Sequence, residues 1–361
     1  ASSGIASSTS IDLNISSVLT DGSYTVSTQT IDVAGNISTA TVSDTLLRID
    51  TQAPSKPSAP DLQASSDSGF LDTDNVTNIT TPVFNLTGLS STIDSLALFV
   101  DGISNTDSIM SQINSSTLRL ENALIHGVHN IAIVAIDSAG NVSDTSNTVS
   151  ITVDLEDPDA PTGVDLKDDS DTGLSISDDK TNDVTPEFTF SGVTSTDSVF
   201  IVTTQDSNTD TVGSGLASST SIDMTTSDLS VVPISYNDGS ITIKGYAMDI
   251  AGNTSDISAS ASLIITLDTS EPTAPTSVVL QSGSDSGIST TDRLTNDTTP
   301  TFTIEGVTST DSVLLIIDGL TASSGIASST SIDLNISSSM PPGSYTVSTQ
   351  TIDVAGNIST A

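Results

Sequence analysis

Cysteine and tryptophan are absent from this 361-residue chain. Without cysteine there is no disulfide framework and no thiol chemistry, so stability must come from apolar cores or bound metals. Aromatic residues make up only 3% of the chain, too few for a platform on which bases or sugars stack. Basic residues are also scarce: 7 Lys and Arg face 45 Asp and Glu, for a formal net charge of −38. A surface this anionic excludes DNA, RNA and anionic lipid as natural partners. No apolar run approaches the roughly 18–20 residues that a membrane span needs. Only two histidines are present and no Gly-x-Ser-x-Gly elbow occurs, so nucleophilic catalysis has no starting point. The chain starts without Met or a signal peptide, as expected of a window from a longer protein.

What is abundant is aspartate, which accounts for all but five of the 45 acids. Aspartate is a poor helix former but a good turn residue and cation ligand. Many of these residues fall in one recurring stretch, Ser66-Asp67-Ser68-Gly69, followed by Asp74, Asn78 and Pro82. It returns as Ser170-Asp171-Thr172-Gly173 with Asp178, Asn182 and Pro186, and as Ser284-Asp285-Ser286-Gly287 with Asp292, Asn296 and Pro300. Fixed spacing within the stretch marks tandem copies of one domain. The boundaries fall at 1–50 (the back part of a repeat), 51–154, 155–268 (with an insertion near Asp228–Asn237) and 269–361 (lacking its last strand). Residues 1–40 match 322–361 except at Val18, Leu19, Thr20 and Asp21, which correspond to Ser339, Met340, Pro341 and Pro342. That offset predicts a parent protein that repeats a three-domain unit.

Each copy reads as short strands separated by turn signals. In residues 51–154 the expected strands are Asp61–Gln63, Pro82–Gly88, Ser95–Val100, Leu118–Leu120, Val128–Ile136 and Val149–Val153. In the leading part, Ser10–Ile15 alternates apolar and polar as a half-buried strand should, and Tyr24–Ile31 and Ile37–Ile49 are further strands. Nothing has helical periodicity. About seven strands in about 100 residues fits an all-β, Greek-key immunoglobulin-like sandwich. The linkers begin at Asp50, Asp154 and Asp268, each with a proline four residues on and another three after that. Prolines fix φ, so these connections are short and stiff, as an extended rod requires.

The strings IDVAGNIS and DTSEPTAPTSVVLQSGSDSGISTTDRLTNDTTPTFTIEG, with their copies, resemble the bacterial immunoglobulin-like repeats of giant secreted surface adhesins and biofilm-associated proteins. That resemblance implies an extracellular stalk at the bacterial cell surface, stiffened by calcium at the domain junctions.

On an immunoglobulin topology the acidic loop and the Asp-x-Ala-Gly-Asn turn lie at opposite poles, so the loop of one repeat should face the turn of the next. Asp67 and Asp74 are then expected near Asp154, Asp157, Asp249 and Asn253. Asp171, Asp178, Asp268 and Glu271 are expected near Asp353 and Asn357. Asp50, Asp137 and Asn141, and Asp285 and Asp292, supply parts of the remaining joints. Calcium takes six to eight oxygen ligands of these kinds in flexible geometry. The spacing is that of neither an EF-hand nor a Gly-Gly-x-Gly-x-Asp repeat, so the metal reading rests on clustering across a joint. The competing reading is that Asp and Asn here only bond their own turns. His126 and His129 are three residues apart, but His129 fills the strand-start slot held by Tyr24 and Tyr345. Sequons at Asn14, Asn85 and Asn114 are expected to be silent. The leading function is a stalk segment that projects a distal adhesive tip, with the adhesion ligand outside this stretch and neighbouring repeats as its partners. The alternative is a self-assembling extracellular fibre, sheath or surface layer, in which other copies of the chain are partners. A glycan-binding module is a weaker third.

Overall fold

The computed structural model describes residues 2–91, 93–111, 116–231 and 236–361. Asn114 and part of the 228–237 insertion lie outside the described residues. The chain divides into two compact units, Ala1–Leu155 and Glu156–Ala361. Among the described residues every element is a strand except a short 3-10 turn at Ala64–Ser66, and no helix is long and apolar enough to cross a membrane.

In the second unit, residues 156–268 form a two-layer sandwich. One sheet has the order Gly163–Leu166, Glu187–Ser191, Ser221–Thr225; the other has the order Lys180–Thr181, Ser262–Leu267, Gly239–Met248, Ser198–Gln205, Asn208–Leu216. Period-two patterning sets which face is inside. Phe188 and Phe190 are fully buried, while Glu187 and Thr189 point outward. Ile241 and Ile243 of the facing sheet close on them, with Val199, Ile201 and Ile265. Fully burying each such side chain is worth about 1.5–3 kcal/mol. Gly245 interrupts that inward face because a Cβ there would stand 2.5 Å from the Phe190 ring. Residues 269–361 repeat the plan with Ser277–Leu280, Thr301–Glu305 and Ser331–Asn335 in one sheet and Leu320–Ile326, Ser312–Ile317 and Val347–Ile352 in the other.

In the first unit, residues 51–154 form the same sandwich around Phe84, Leu96, Leu98, Ile131 and Ile151. Its first strand begins in one sheet at Asp61–Leu62 and resumes in the other at Val76–Thr77, parallel to Val149–Val153. The acidic loop is the crossover between these two pieces. The parallel piece and the strand Ile103–Ser111 were not expected from sequence, the former because two residues carry no readable period.

The leading part departs from expectation. Ser10–Ile15 is not a strand, although the same residues at Ser331–Asn335 form one. The difference is the partner: Ser331–Asn335 pairs with Thr301–Glu305, and residues 1–50 offer no such strand. Likewise Tyr24–Ile31 shortens to Gly22–Tyr24 and Ser27–Thr28, and Ile37–Ile49 to Thr41–Val42 and Leu47–Ile49.

Candidate functional site

The Asp-x-Ala-Gly-Asn turn folds identically in every copy. In the last repeat one Asp353 oxygen accepts the Ala355 and Asn357 amides at 3.0 and 2.9 Å, and the other accepts the Asn357 side-chain amide at 3.0 Å. Asp32, Asp137 and Asp249 bind their own Ala and Asn in the same way. The turn-forming reading therefore holds at all four positions. Three donors leave one lone pair of each carboxylate for another ligand.

The acidic loop is built differently. In the middle repeat Asp171 is 2% exposed, and its Oδ2 accepts the Asp179 amide at 3.3 Å. Its Oδ1 is buried without a partner, as is Oδ1 of Asp178. Burial first, and then the charges of Asp178 and Asp179, push the Asp171 carboxyl above its ordinary range. Asp67 repeats this pattern: burial and then Asp74 and Asp72 raise it, the Asn75 amide binds Oδ2, and Oδ1 has no partner. Asp285 also has an orphaned Oδ1, with the Arg293 amide on Oδ2. A buried carboxylate oxygen with no donor, next to a second carboxylate, is a costly arrangement unless a cation accompanies it.

The second unit contains one complete joint between repeats, and three segments meet in it. The Thr172 hydroxyl donates to the Ala355 carbonyl at 2.5 Å. Gly173, at φ +95°, lies so close to the turn that a Cβ would stand 2.2 Å from the Val354 carbonyl oxygen. The Asn357 side-chain amide donates to the Asp268 carbonyl at 2.8 Å. The turn of the last repeat is thus seated on the acidic loop and linker of the repeat before it, bringing Asp171, Asp178, Asp268, Asp353 and Asn357 into one neighbourhood. Glu271 is exposed.

The linker itself is clamped from both sides. Asp238 accepts the Thr269 amide and hydroxyl on one oxygen, each at 2.8 Å, and the Ser270 hydroxyl on the other. Thr351 of the following repeat donates to the Thr273 carbonyl at 3.1 Å. In the first unit Asn141 donates to the Asp50 carbonyl at 3.0 Å, and Asp21 takes the place of Asp238. Asp67, Asp74 and Asp154 belong to one unit and Asp157, Asp249 and Asn253 to the other, so their expected meeting spans the two.

Among the described residues no group of three or more His, Asp or Glu side chains stands together as a metal site. The carboxylates come in pairs, so a bound cation would draw its other ligands from carbonyls, amide oxygens and water. The orphaned oxygens of Asp171 and Asp178, in the same loop as the Thr172 and Gly173 that meet the Ala355 and Val354 carbonyls, fit a hard cation by their donor chemistry.

Sequence reasoning missed Asp197 and Asp311. They are 4% and 5% exposed, and burial followed by the charge of Asp249 or Asp353 raises each. The signal was present as the recurring Thr-Ser-Thr-Asp-Ser at 194–198 and 308–312.

The histidines do not converge on one centre. His129 bonds Asp101 at 2.8 Å and the Ile125 carbonyl at 2.9 Å. Tyr24 and Tyr345 likewise donate to the carbonyl four residues back, those of Thr20 and Pro341. His129 therefore does the work of the tyrosine corner seen in immunoglobulin-like sandwiches. Burial acts to lower its pKa, but the Ile125 carbonyl and Asp101 outweigh that and hold it above the ordinary value. Such a group contributes stability below its unfolded pKa that is lost as pH rises through the folded one. Replacing it with Tyr should remove the pH dependence that sets in above the unfolded value of about 6.5 and leave the repeat folded; thermal melts of the two proteins on either side of that value check it.

A family model described as a bacterial Ig-like domain matches residues 53–155, 159–269 and 272–361. A comparison with curated proteins finds no match. Among solved structures the chain is similar to the fibronectin(III)-like modules of Clostridium thermocellum CbhA, with 16% identity, 54% of this chain and 87% of that chain covered, and a TM-score of 0.32. It is similar to the central fibronectin-III array of RIM-binding protein at 14% identity, covering 87% and 96%, with a TM-score of 0.20. A calcium-stabilised adhesin with which an Antarctic bacterium binds ice is 17% identical, with 93% and 79% covered and a TM-score of 0.28. On the three family matches, which take in most of its length, the chain belongs to the bacterial immunoglobulin-like domain family as a tandem array.

Proposed function

We propose that this chain is a stalk segment of a bacterial cell-surface adhesin, held stiff by calcium at the joints between repeats and carrying a distal adhesive tip in adhesion and biofilm formation. The observation that carries the reading is the joint at Asp268–Pro275. There a glycine-on-glycine contact seats one repeat on the next, a clamped proline linker connects them, and two buried carboxylate oxygens remain without donors. A joint whose only role was connection would have no use for the unpaired acids. With about four to six more oxygens from carbonyls and water they make a ligand set for calcium. Immunoglobulin-like repeats serve in the main as structural modules, and no residue constellation here assigns a reaction. The net charge of −38 keeps neighbouring stalks apart.

The test uses the absence of native cysteine. Spin labels on introduced cysteines in residues 198–205 and 312–317 report the spread of distances across the joint. In calcium the wild-type distribution should be narrow. The Asp171→Ala, Asp178→Ala double variant should bind fewer calcium ions and give a broad distribution. Retention of both stoichiometry and narrowness would defeat the assignment.

The alternative is a self-assembling fibre, sheath or surface layer. Solution mass separates the readings: a concentration-dependent oligomer favours assembly, and a monomer favours the stalk.

A further inference from the structure

The repeats at 155–268 and 269–361 can be matched residue by residue at one end of their sandwiches. Ser198–Gln205 pairs with the edge strand Asn208–Leu216 through a bulge after Ile201, and Ser312–Ile317 pairs with Leu320–Ile326 through a bulge after Leu315. Directly past the bulge Val202 faces Thr211, as Ile316 faces Thr321. Thr203 therefore corresponds to Ile317, and Val212 to Ala322. A backbone bond fixes a third match. The Leu229 amide donates to the Val184 carbonyl and the Met340 amide to the Thr298 carbonyl, both at 2.8 Å, and both carbonyls lie two residues before a proline.

In the repeat at 155–268 these places are covered by a plug. The insertion brings in Tyr236, whose amide bonds the Leu229 carbonyl at 2.8 Å. Its ring is buried in the core cluster with Val212 and Leu229. Its hydroxyl donates to the Thr203 carbonyl at 3.0 Å and lies 2.9 Å from the Thr203 hydroxyl. Gln205 grips the next residue, Asn237, by accepting its amide at 3.0 Å and donating to its carbonyl at 2.8 Å.

The repeat at 269–361 has the same floor and no insertion. Met340 leads straight through Pro341 and Pro342 to Gly343. Ile317, Ala322 and Met340 are only half-buried against their core. With Thr321, Ile336 and Tyr345 they line a groove of about 300 Å³. Tyr345 does not close it, because its hydroxyl is tied to the Pro341 carbonyl at 2.6 Å. No residue lining the groove is charged, in a chain where 14% of residues are.

We infer that this groove is a binding site for a small neutral aromatic ligand, a phenol the size of a tyrosine side chain. The same fold lays a tyrosine ring over the matching residues one repeat earlier, which sets the size and shape. The uncharged lining sets the ligand's charge, since it offers no partner to an anion or a cation. The apolar floor takes the ring, the Met340 sulfur suits an aromatic neighbour, and the Thr321 hydroxyl is available to the ligand's own. The inference goes beyond the stalk reading and depends on neither calcium nor the joint.

The test uses the full 361-residue chain with its four methionine methyls labelled with ¹³C, and p-cresol, the tyrosine side chain as a free molecule. In wild type p-cresol should move the Met340 methyl and leave the other three in place. It should half-saturate at roughly a millimolar, the affinity open to so small a ligand. The titration should be the same in calcium and in chelator, which keeps its outcome separate from that of the joint. 4-Methylbenzoate, a ring of the same size with a negative charge, should bind at least tenfold more weakly. Ala322→Leu builds a side chain into the groove and should abolish the Met340 shift. Tyr236→Ala should open the matching site in the repeat before, so that the chain takes up a second equivalent of p-cresol, as apolar cavities left by a removed side chain do with aromatic molecules. A Met340 methyl that stays put in wild type, or four methyls that move together, would overturn the inference whatever the variants do. Equal binding of 4-methylbenzoate would overturn the ligand class. A folded Tyr236→Ala variant without a second equivalent would break the match between repeats on which the inference stands. If that variant does not fold, the wild-type and Ala322→Leu titrations decide.

Discussion

Stripped of calcium at pH 7, the repeats should melt roughly 10–20 °C below their value in saturating calcium, and acidification should narrow the gap. One ion at about a hundredfold over its Kd stabilises the bound state by about 2.7 kcal/mol. A domain of about 100 residues gains roughly 4–8 °C for each kcal/mol. The pH dependence follows from the buried acids. Burial, followed by neighbouring carboxylates, raises Asp67, Asp171, Asp197 and Asp311. A carboxyl raised on folding binds more protons folded than unfolded in the window between its two pKa values. Its contribution is fully present below the unfolded value, about 3.9, and is lost as pH rises through the folded value. In chelator, stability should therefore increase as pH is taken from 7 toward 4.5. Asp32, Asp137 and Asp238 act in the opposite sense, because hydrogen bonds from Asn36, Asn141 and Ser270 respectively hold them below the ordinary range. Their contribution is lost only as pH falls below about 3.9, outside that window. Calcium should flatten the dependence by holding the buried pairs ionised. High salt separates this effect from general repulsion, since screening acts on the exposed charges far more than on buried ones. Melting temperatures that fall on acidification in chelator, or that are equal with and without calcium, would contradict the account.

The fold was legible because its signals are local and repeated. Phe188 and Phe190 alternate with polar neighbours, and the prolines and glycines punctuate each copy at the same offsets. The joint was legible in outline, because an immunoglobulin topology puts the acidic loop at one pole and the Asp-x-Ala-Gly-Asn turn at the other. What stayed hidden depends on three-dimensional context. Ser331–Asn335 is a strand and the identical Ser10–Asn14 is not, because pairing decides between them and composition does not. The crossover strand Val76–Thr77 has two residues and no pattern. Asp197 and Asp94 sit in similar strings, yet a single added residue and a register shift leave one buried and the other exposed. The turn aspartates were read as ligands from clustering alone, and the structure shows that most of their capacity is spent on their own turns.

Replacing Gly173 by Ala should uncouple the last two repeats in calcium while leaving each folded, and the same change at Gly140 should not. Both glycines sit in the left-handed region, at φ +95° and +88°, so an alanine costs roughly 1–2 kcal/mol at either position. They differ in what the new methyl meets. At Gly140 nothing lies within 4 Å. At Gly173 the Cβ would stand 2.2 Å from the Val354 oxygen and 2.9 Å from both the Ala355 carbonyl carbon and the Gly356 nitrogen. All three are backbone atoms, with no flexible side chain to move aside. The turn must lift off the loop, which breaks the Thr172 bond to Ala355 and strains that of Asn357 to Asp268. Gly356→Ala attacks the same contact from the other side, since its Cβ would stand 2.9 Å from the Gly173 nitrogen. Spin-label distances across the joint should broaden for Gly173→Ala and Gly356→Ala and stay narrow for Gly140→Ala and Gly287→Ala, where the space around the new methyl is open. Amide exchange should lose protection at 353–357 in the first pair of variants alone. If the Gly173 variant kept a narrow distribution, the steric seat would not be what fixes the repeats. Stiffness would then rest on the proline linker and the cation by themselves.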